Sequence, residues 1–548
     1  VSNQLTFSKP ISYYEFQNKY AASEHQYRSW GPETVGVKND RMDFFETGLV
    51  NQTSASLSVG NEKNQTYASV SHSYSEGIIP TNDYKKSNLT LRNTTRFLND
   101  KMTLDFGFSY IKQSDRNMIG QGLYFNPIPV IYSFPVGRDL LDYKDNYESF
   151  NESKGYNIQN WPKEYEVLDS QNPYWLLHRM PRKTDRNRYM MNVSLKYDIA
   201  DWISVAGRVR IDNSKGEQES KFHASTHSKF SDNPKAGKYK NLIDDDKQTY
   251  ADIMLNINKT WGDFSVNPIV GASISDIKNI SKGMEGPLVI PNYFALSNLD
   301  MTSSKTYPIH NGWHTQEQSV FASLEVGYKH MLYLTLTGRN DWASQLAKTI
   351  NSSFFYPSVG LSFLLSEAVK LPKQISYLQL KGSYSSVGSP IPRNLSIPTY
   401  QYNKDFRSFN SNTFLPLSDM KPEKTNSWEF GVSAKFFENK LNFDLTYYHS
   451  NTINQTLTLD ISATSLYTKM YVQAGDVRNQ GVELALGTDL KIGKVRWIGD
   501  VTAGFNNNKI LKLIDKNATV DVDGDKIPVG KMFNGKREAV GASTYKLK

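Results

Sequence analysis

Apolar and polar side chains alternate through residues 426–449, NSWEFGVSAKFFENKLNFDLTYYH. Trp428, Phe430, Val432, Ala434 and Phe436 fall on one face, and Ser427, Glu429, Gly431, Ser433 and Lys435 on the other, because strand side chains alternate with period two. After the polar turn Glu438-Asn439-Lys440 the alternation resumes, with Leu441, Phe443, Leu445 and Tyr447 opposite Asn442, Asp444, Thr446 and Tyr448. The pattern predicts a two-faced β-hairpin with arms of about ten residues. Such arms suit a soluble sandwich, and they also match the roughly 9–11 tilted residues that cross a bilayer's hydrocarbon core.

The same unit recurs along the chain. Residues 1–9 alternate moderately, and a polar connection containing Trp30-Gly31-Pro32 follows to near residue 50. Strands are expected at 52–60 and 65–74, then at 87–97 and 102–112, the last with Met102, Leu104, Phe106, Phe108 and Tyr110 on one face. Residues 113–188 show no sustained period and read as a large loop. Further hairpins are expected at 189–199 with 203–212, 248–258 with 264–276, 318–328 with 331–341, 354–365 with 377–387, and 480–489 with 495–505. Between them lie a charged loop to about 247, a third long loop to about 317, and loops on both sides of 426–449; an unpaired tail closes the chain. The expectation is all-β, about 17 strands, in which tight turns alternate with long loops. Turns at one rim and long loops at the other are the arrangement of an antiparallel transmembrane β-barrel, with periplasmic turns and extracellular loops. Lipid cannot satisfy an open sheet edge, so an odd count predicts further strands beyond these.

Composition leaves this open but narrows the rest. Aromatics are 13 % of 548 residues, with 33 Tyr and 27 Phe, at a mean hydropathy of −0.55. No apolar run approaches the roughly 18 residues of a transmembrane helix, a test that barrels escape because only every second residue meets lipid. The absence of Cys excludes disulfides and thiolate metal sites and suits an oxidising periplasm. The net charge of +8 is spread among 55 acidic residues without a basic run, which reads as a solvated surface and no nucleic-acid partner. Val1 opens directly on a strand-like run, so a preceding segment is expected.

Several stretches carry a resemblance. MKPEKTNSWEFGVSAKFFENKLNFDLTYYHSNT at 420–452, continuing to GDVRNQGVELAL at 475–486, resembles the barrel of SusC/RagA-type TonB-dependent outer-membrane transporters. FYPSVGLSFLLSEA at 355–368, LQLKGSYSSVGSP beyond it and GRNDWAS at 338–344 are similar to that family's mid-barrel signatures, and residues 57–92 to its early hairpin. FSKPISYYEFQNKYA near the start resembles its first barrel strand and loop. The resemblance implies that residues 1–548 are a single incomplete barrel domain. A family barrel has about 22 strands around a plugged lumen, with the N-terminal plug expected before Val1 and the last strands after Lys548. It implies the cell outer membrane of a Gram-negative, Bacteroidetes-like bacterium. It further implies a SusD-like surface lipoprotein as lid, the TonB-ExbB-ExbD complex acting through the plug, and import of an oligosaccharide or peptide. An outer-membrane adhesin and a soluble tandem β-sandwich binding protein are the alternatives.

Enzyme chemistry finds little support, and no cofactor is expected. His223 and His227 in HASTH lack the Glu of a zinc protease helix, and Asp521, Asp523 and Asp525 in DVDGD lack the frame of a calcium loop, which leaves a turn as the simpler reading. Asp244, Asp245 and Asp246 read as a solvated loop, and no metal site is expected. For a transporter, substrate contacts belong on long loops and the upper lumen, where Tyr124, Phe125, Trp161, Tyr174, Trp175 and Trp313 offer aromatic faces to sugars or peptides. Loop aromatics also pack their own loop or form an interfacial girdle. Trp428 and Trp497, at strand positions, are expected in that girdle.

Overall fold

The computed structural model describes residues 1–11, 17–24, 26–33, 41–120, 122, 125–165, 170–397, 399–403, 408–415, 420–460, 467–512, 519–522 and 525–528. Its main element is a 19-stranded sheet, two of whose members, Lys259–Trp261 and Phe414–Leu415, are short additions. The other seventeen run in sequence order. They are β1 (Ser2–Ser8), β2 (Gly48–Gly60), β3 (Asn64–Glu76), β4 (Asp83–Phe97), β5 (Met102–Arg116) and β6 (Arg182–Ala200). Next come β7 (Ile203–His223), β8 (Gly237–Ile257), β9 (Phe264–Pro287), β10 (Tyr307–Tyr328), β11 (Leu332–Ala343) and β12 (Ser353–Leu364). The last are β13 (Ile375–Ser389), β14 (Glu423–Phe436), β15 (Leu441–Asp460), β16 (Lys469–Ile492) and β17 (Val495–Lys512). Each pairs antiparallel with the next, so the expected antiparallel all-β architecture and strand number are what the structure shows.

Register fixes the two faces. Trp428 pairs with His449, Phe430 with Tyr447, Val432 with Leu445 and Ala434 with Phe443. The row continues outward as Leu486–Val501 on one side and Leu380 on the other. Because a paired residue shares its partner's face, one apolar face runs through Leu336, Val270, Leu255, Val209, Leu195, Phe106 and Leu91 to Leu57. Many of its side chains are exposed, among them Phe430, Val270 and Leu57. The apolar band is bounded at the turn end by exposed Trp202, Trp261, Phe264 and Trp497 and at the other end by Tyr110, Tyr189, Trp342 and Trp428. Lys259 lies 4.5 Å over the Trp202 ring.

Tight turns all close the same end. Lys329 and His330 both take positive φ, 48° and 55°, the handedness a two-residue hairpin needs to follow strand twist. Phe437, Glu438 and Asn439 are likewise left-handed at the 426–449 turn.

The strands are longer than their alternation. Residues 213–247, expected as a charged loop, are mostly the paired upper halves of β7 and β8, with Asp244 opposite Gly216 and Ser281. Asp244, Asp245 and Asp246 therefore stand on a strand and not in a loop. The expected loop before residue 317 likewise contains the ladder of β9 and β10, and Trp313 sits in it opposite Asn279. Beyond the apolar band both faces are polar, so hydropathy loses its period while the backbone ladder continues. The expected loop 113–188 gives up its ends to β5 and β6. Its middle holds α1 (Ile128–Ser133), α2 (Pro173–Arg179) and a small hairpin of Glu148–Asn151 with Tyr156–Gln159. In the expected tail, Thr519–Val522 pairs with Asp525–Pro528, so DVDGD joins two strands; Asp523 lies outside the described residues.

Candidate substrate-binding face

Strand parity places the functional side chains. Along β7 the apolar-face residues Val205, Val209 and Ile211 are odd-numbered, so Arg210, Gln218, Ser220 and Phe222 project from the polar face. The segment 117–181 packs against the non-turn end of this polar face through a core in which its Ile131, Phe134, Tyr174, Trp175, Leu177 and Met180 meet Phe44 before β2 and Phe222 of β7. Asn172 caps α2 by accepting from the Tyr174 backbone N–H, and Pro173 starts the helix where no N–H is needed. Trp175 Nε1 donates to Thr226 Oγ1 at 3.1 Å, linking the helix to the connection beyond β7. Glu148 forms an ion pair with Arg179. Burial alone would raise its carboxyl, but hydrogen bonds from Arg179 and Asn157 outweigh burial and hold it below the usual carboxylate range.

The six aromatic residues singled out in the sequence separate into groups. Tyr174 and Trp175 are fully buried, with rings surrounded by the loop core, so they position the loop and present no face to a ligand. Burial, followed by Asp139 and Asp145, pushes the Tyr174 phenol up. Trp161 is half-buried against Phe134, Tyr143 and Tyr165, at 6.0, 5.3 and 5.6 Å between ring centroids. Tyr124 lies outside the described residues. Phe125 and Trp313 are half-buried on the lumen side of the wall: Phe125 lies 5.8 Å from Phe222 and 5.5 Å from Phe230, and Arg393 stacks 3.8 Å over Trp313.

Phe125 lines a cavity of about 620 Å³ with Arg182, Gln218, Ser220, Phe222, Lys229, Phe230, Lys238, Lys240 and Glu285. Lys238 bridges Asp232 at 2.9 Å and Glu285 at 2.6 Å. None of these cations was legible as a site residue, because four strands and the loops before β6 and after β7 assemble the cavity from positions between Phe125 and Glu285. Further toward the turn end, Asp244 accepts from Gln218 at 3.2 Å and Asp246 from Asn279 at 2.6 Å. Among the described residues no cluster of His, Asp or Glu could hold a metal ion. His223 Nδ1–H donates to the Arg179 carbonyl at 2.7 Å, while His227 caps the short helix α3 (Ser228–Ser231).

A β-barrel family model, described as TonB dependent receptor-like, beta-barrel, matches residues 131–546. The chain belongs to this family. It is 24% identical over 497 residues to TonB-dependent receptor P26 of Formosa agariphila, covering 84% of this chain and 45% of the relative. To TonB-dependent receptor SusC of Bacteroides thetaiotaomicron it is 21% identical, covering 98% of this chain and 56% of the relative. The chain thus spans about half the length of these curated relatives. The structure of the RagAB peptide transporter superposes with a TM-score of 0.72 at 18% identity, over 87% of this chain and 52% of that one. The RagAB peptide importer in its closed-closed state gives 0.74 at 17%, over 89% and 54%.

For this TonB-dependent receptor barrel of SusC/RagA type, the two faces acquire a setting in the outer membrane. The apolar band meets lipid and the polar face lines the lumen, with tight turns periplasmic and long loops extracellular. Trp428 and Trp497 stand in the two aromatic girdles, as expected. A soluble β-sandwich is excluded, since its apolar face would be covered by a second sheet. The family is one of transporters and not of enzymes.

Proposed function

We propose that the chain is the barrel wall of a SusC-like importer that takes up an oligosaccharide or peptide. Residues 1–548 contribute one barrel domain, with a SusD-like surface lipoprotein over the extracellular loops and TonB-ExbB-ExbD acting through a plug. The observation that carries this reading is the cavity beside the folded loop 117–181, lined by lumen-facing side chains of β6 to β9 and by the half-buried Phe125. A binding face directed into the lumen suits passage; an adhesin would need its recognition surface on the outer tips of the loops. The similarity to SusC and to RagAB supports the assignment of cargo class and lid.

The test is uptake by cells carrying the full-length protein, with and without TonB. Labelled cargo should accumulate only in the TonB-positive strain, and a lipoprotein should co-purify under gentle extraction. Surface binding that persists without TonB and without accumulation would assign the barrel to adhesion.

A further inference from the structure

We propose that the lumen face of β6 to β9 is a subsite for acidic oligosaccharides, in which Arg182 and Lys240 pair with carboxylate or sulfate groups of the sugar chain. The inference rests on the importer reading above and names the substrate class of that site.

One cross-strand row carries it. Arg182 pairs with Ser220, Ser220 with Lys240 and Lys240 with Glu285, so the four side chains lie side by side on the lumen face. Arg182 is half-buried and stacks with its guanidinium 4.4 Å from the Phe125 ring centroid. Its donors reach only carbonyl oxygens, that of Met118 at 2.7 Å and that of Phe125 at 3.4 Å. No carboxylate among the described residues pairs with it. A partly desolvated guanidinium without a counter-charge is costly unless an anion completes it. Burial accordingly lowers its pKa, and no acid among the described residues opposes the shift. Of the cations on this row, Lys238 is shared between Asp232 and Glu285, and Lys240 lies 3.8 Å from the other Glu285 oxygen; Arg182, Lys238 and Lys240 together outnumber those two carboxylates.

The positive character continues inward. Arg182, Arg186 and Arg188 have the same parity on β6 and descend the lumen wall toward the membrane, with Arg210 beside them on β7. Arg188 is neutralised by Asp212, Nε to Oδ1 at 2.7 Å, whereas Arg186 and Arg210 have no carboxylate partner among the described residues. A substrate with anions at intervals would meet a succession of guanidinium groups of the kind suited to bidentate pairing with carboxylate or sulfate.

Sugar fits better than peptide for a physical reason. Recognition of a peptide by strand addition needs a free strand edge, and here every strand that lines the site is paired on both sides. What the wall offers instead is side chains: Gln218, Ser220, Asn279 and Ser281 for hydroxyl groups, beside the Arg182 guanidinium that Phe125 backs.

The experiment is titration calorimetry on the full-length transporter in detergent, with oligogalacturonate, a sulfated galactan oligomer, a neutral maltooligosaccharide of equal length and an oligoglutamate peptide. At least one acidic glycan should bind about tenfold more tightly than the neutral one, with affinity falling as salt rises. The two acidic arms separate carboxylate from sulfate. Arg182→Gln with Lys240→Gln should abolish the preference, and Arg182→Lys should retain part of it, each variant keeping the heat-modifiable gel mobility of a folded barrel. Equal affinity for the neutral glycan, an unchanged preference in the double variant, or no binding of either acidic glycan would overturn the proposal. Tightest binding of oligoglutamate, lost in the double variant, would overturn it in favour of an acidic peptide. TonB-dependent accumulation is measured separately, so loss of the importer reading and loss of the charge preference give different results.

Discussion

Trp175 has no exposed surface and holds α2 to the strand connection through its single hydrogen bond to Thr226. Truncation to Ala leaves a cavity the size of an indole, a change that costs about 3–5 kcal/mol in a packed core. Thr226→Val removes only the hydrogen bond, about 1 kcal/mol. W175A should therefore expose segment 117–181 to protease while the barrel keeps its folded gel mobility, and T226V should fall between W175A and the parent. A cleavage pattern unchanged by W175A would show that the loop core is held by other contacts. That Trp175 and Tyr174 are fully buried while Phe125 keeps part of its surface at the cavity was not legible in the sequence. All are loop aromatics there, and only the fold of 117–181 decides which faces are covered.

His223 and Glu148 give the same loop core a pH dependence. Burial holds His223 below the ordinary imidazole range, outweighing the bond to the Arg179 carbonyl. An unfolded His takes its proton near pH 6.5, so this contribution is complete above roughly that value and declines as pH falls toward the depressed folded pKa. Glu148, whose folded pKa is also lowered, contributes above the ordinary carboxylate value of about 4.3 and is lost at lower pH. Tryptophan fluorescence of the full-length protein should report loosening in two steps on acidification. His178 on α2 is likewise held below the ordinary imidazole range by burial, so His223→Gln should shrink the upper step and the double variant with His178→Gln should remove it and leave the lower; an upper step unchanged in the double variant would assign it to another group.

At the scale of elements, the turn ends of the hairpins were legible and the loop ends were not. Residues 426–449 alternate because one face meets lipid, and the pairing of Phe430 with Tyr447 follows from that pattern together with the Glu438-Asn439-Lys440 turn. β9 has 24 residues, far more than the roughly 9–11 a bilayer requires. Its outer half carries no hydropathy signal, so alternation alone predicts a loop there. The difference can be measured by hydrogen exchange: amides of 213–222 and 238–247 should exchange as slowly as those of the lipid-embedded hairpins. Ser214→Pro removes a ladder donor in β7 and should raise exchange across both β7 and β8. Fast exchange of these segments in the parent protein would return them to loop.

For the whole molecule, alternation of tight turns and long connections indicated a barrel, and the pairing of strands in sequence order from β1 to β17 is the structural form of that signal. The claim that one face meets lipid and the other water has a direct consequence for neighbouring residues. Leu445 and Thr446 are adjacent on β15, a few residues from the periplasmic turn, and project to opposite faces. Leu445 pairs with Val432 in the apolar band, and Thr446 lines a lumen cavity of about 300 Å³ beside Lys381 and Glu429. An Arg on the lipid face near mid-bilayer costs about 2–4 kcal/mol, whereas a lumen position keeps the charge solvated. Leu445→Arg should lower the urea midpoint of the full-length protein in liposomes by an amount corresponding to that cost, and Thr446→Arg should leave it within experimental scatter. Equal effects at the two sites would mean that the two faces share one environment. Reversed effects would turn the barrel inside out, placing the Trp428–Phe430 row in the lumen and the arginine row of β6 against lipid, a placement that unpaired guanidinium groups could not tolerate.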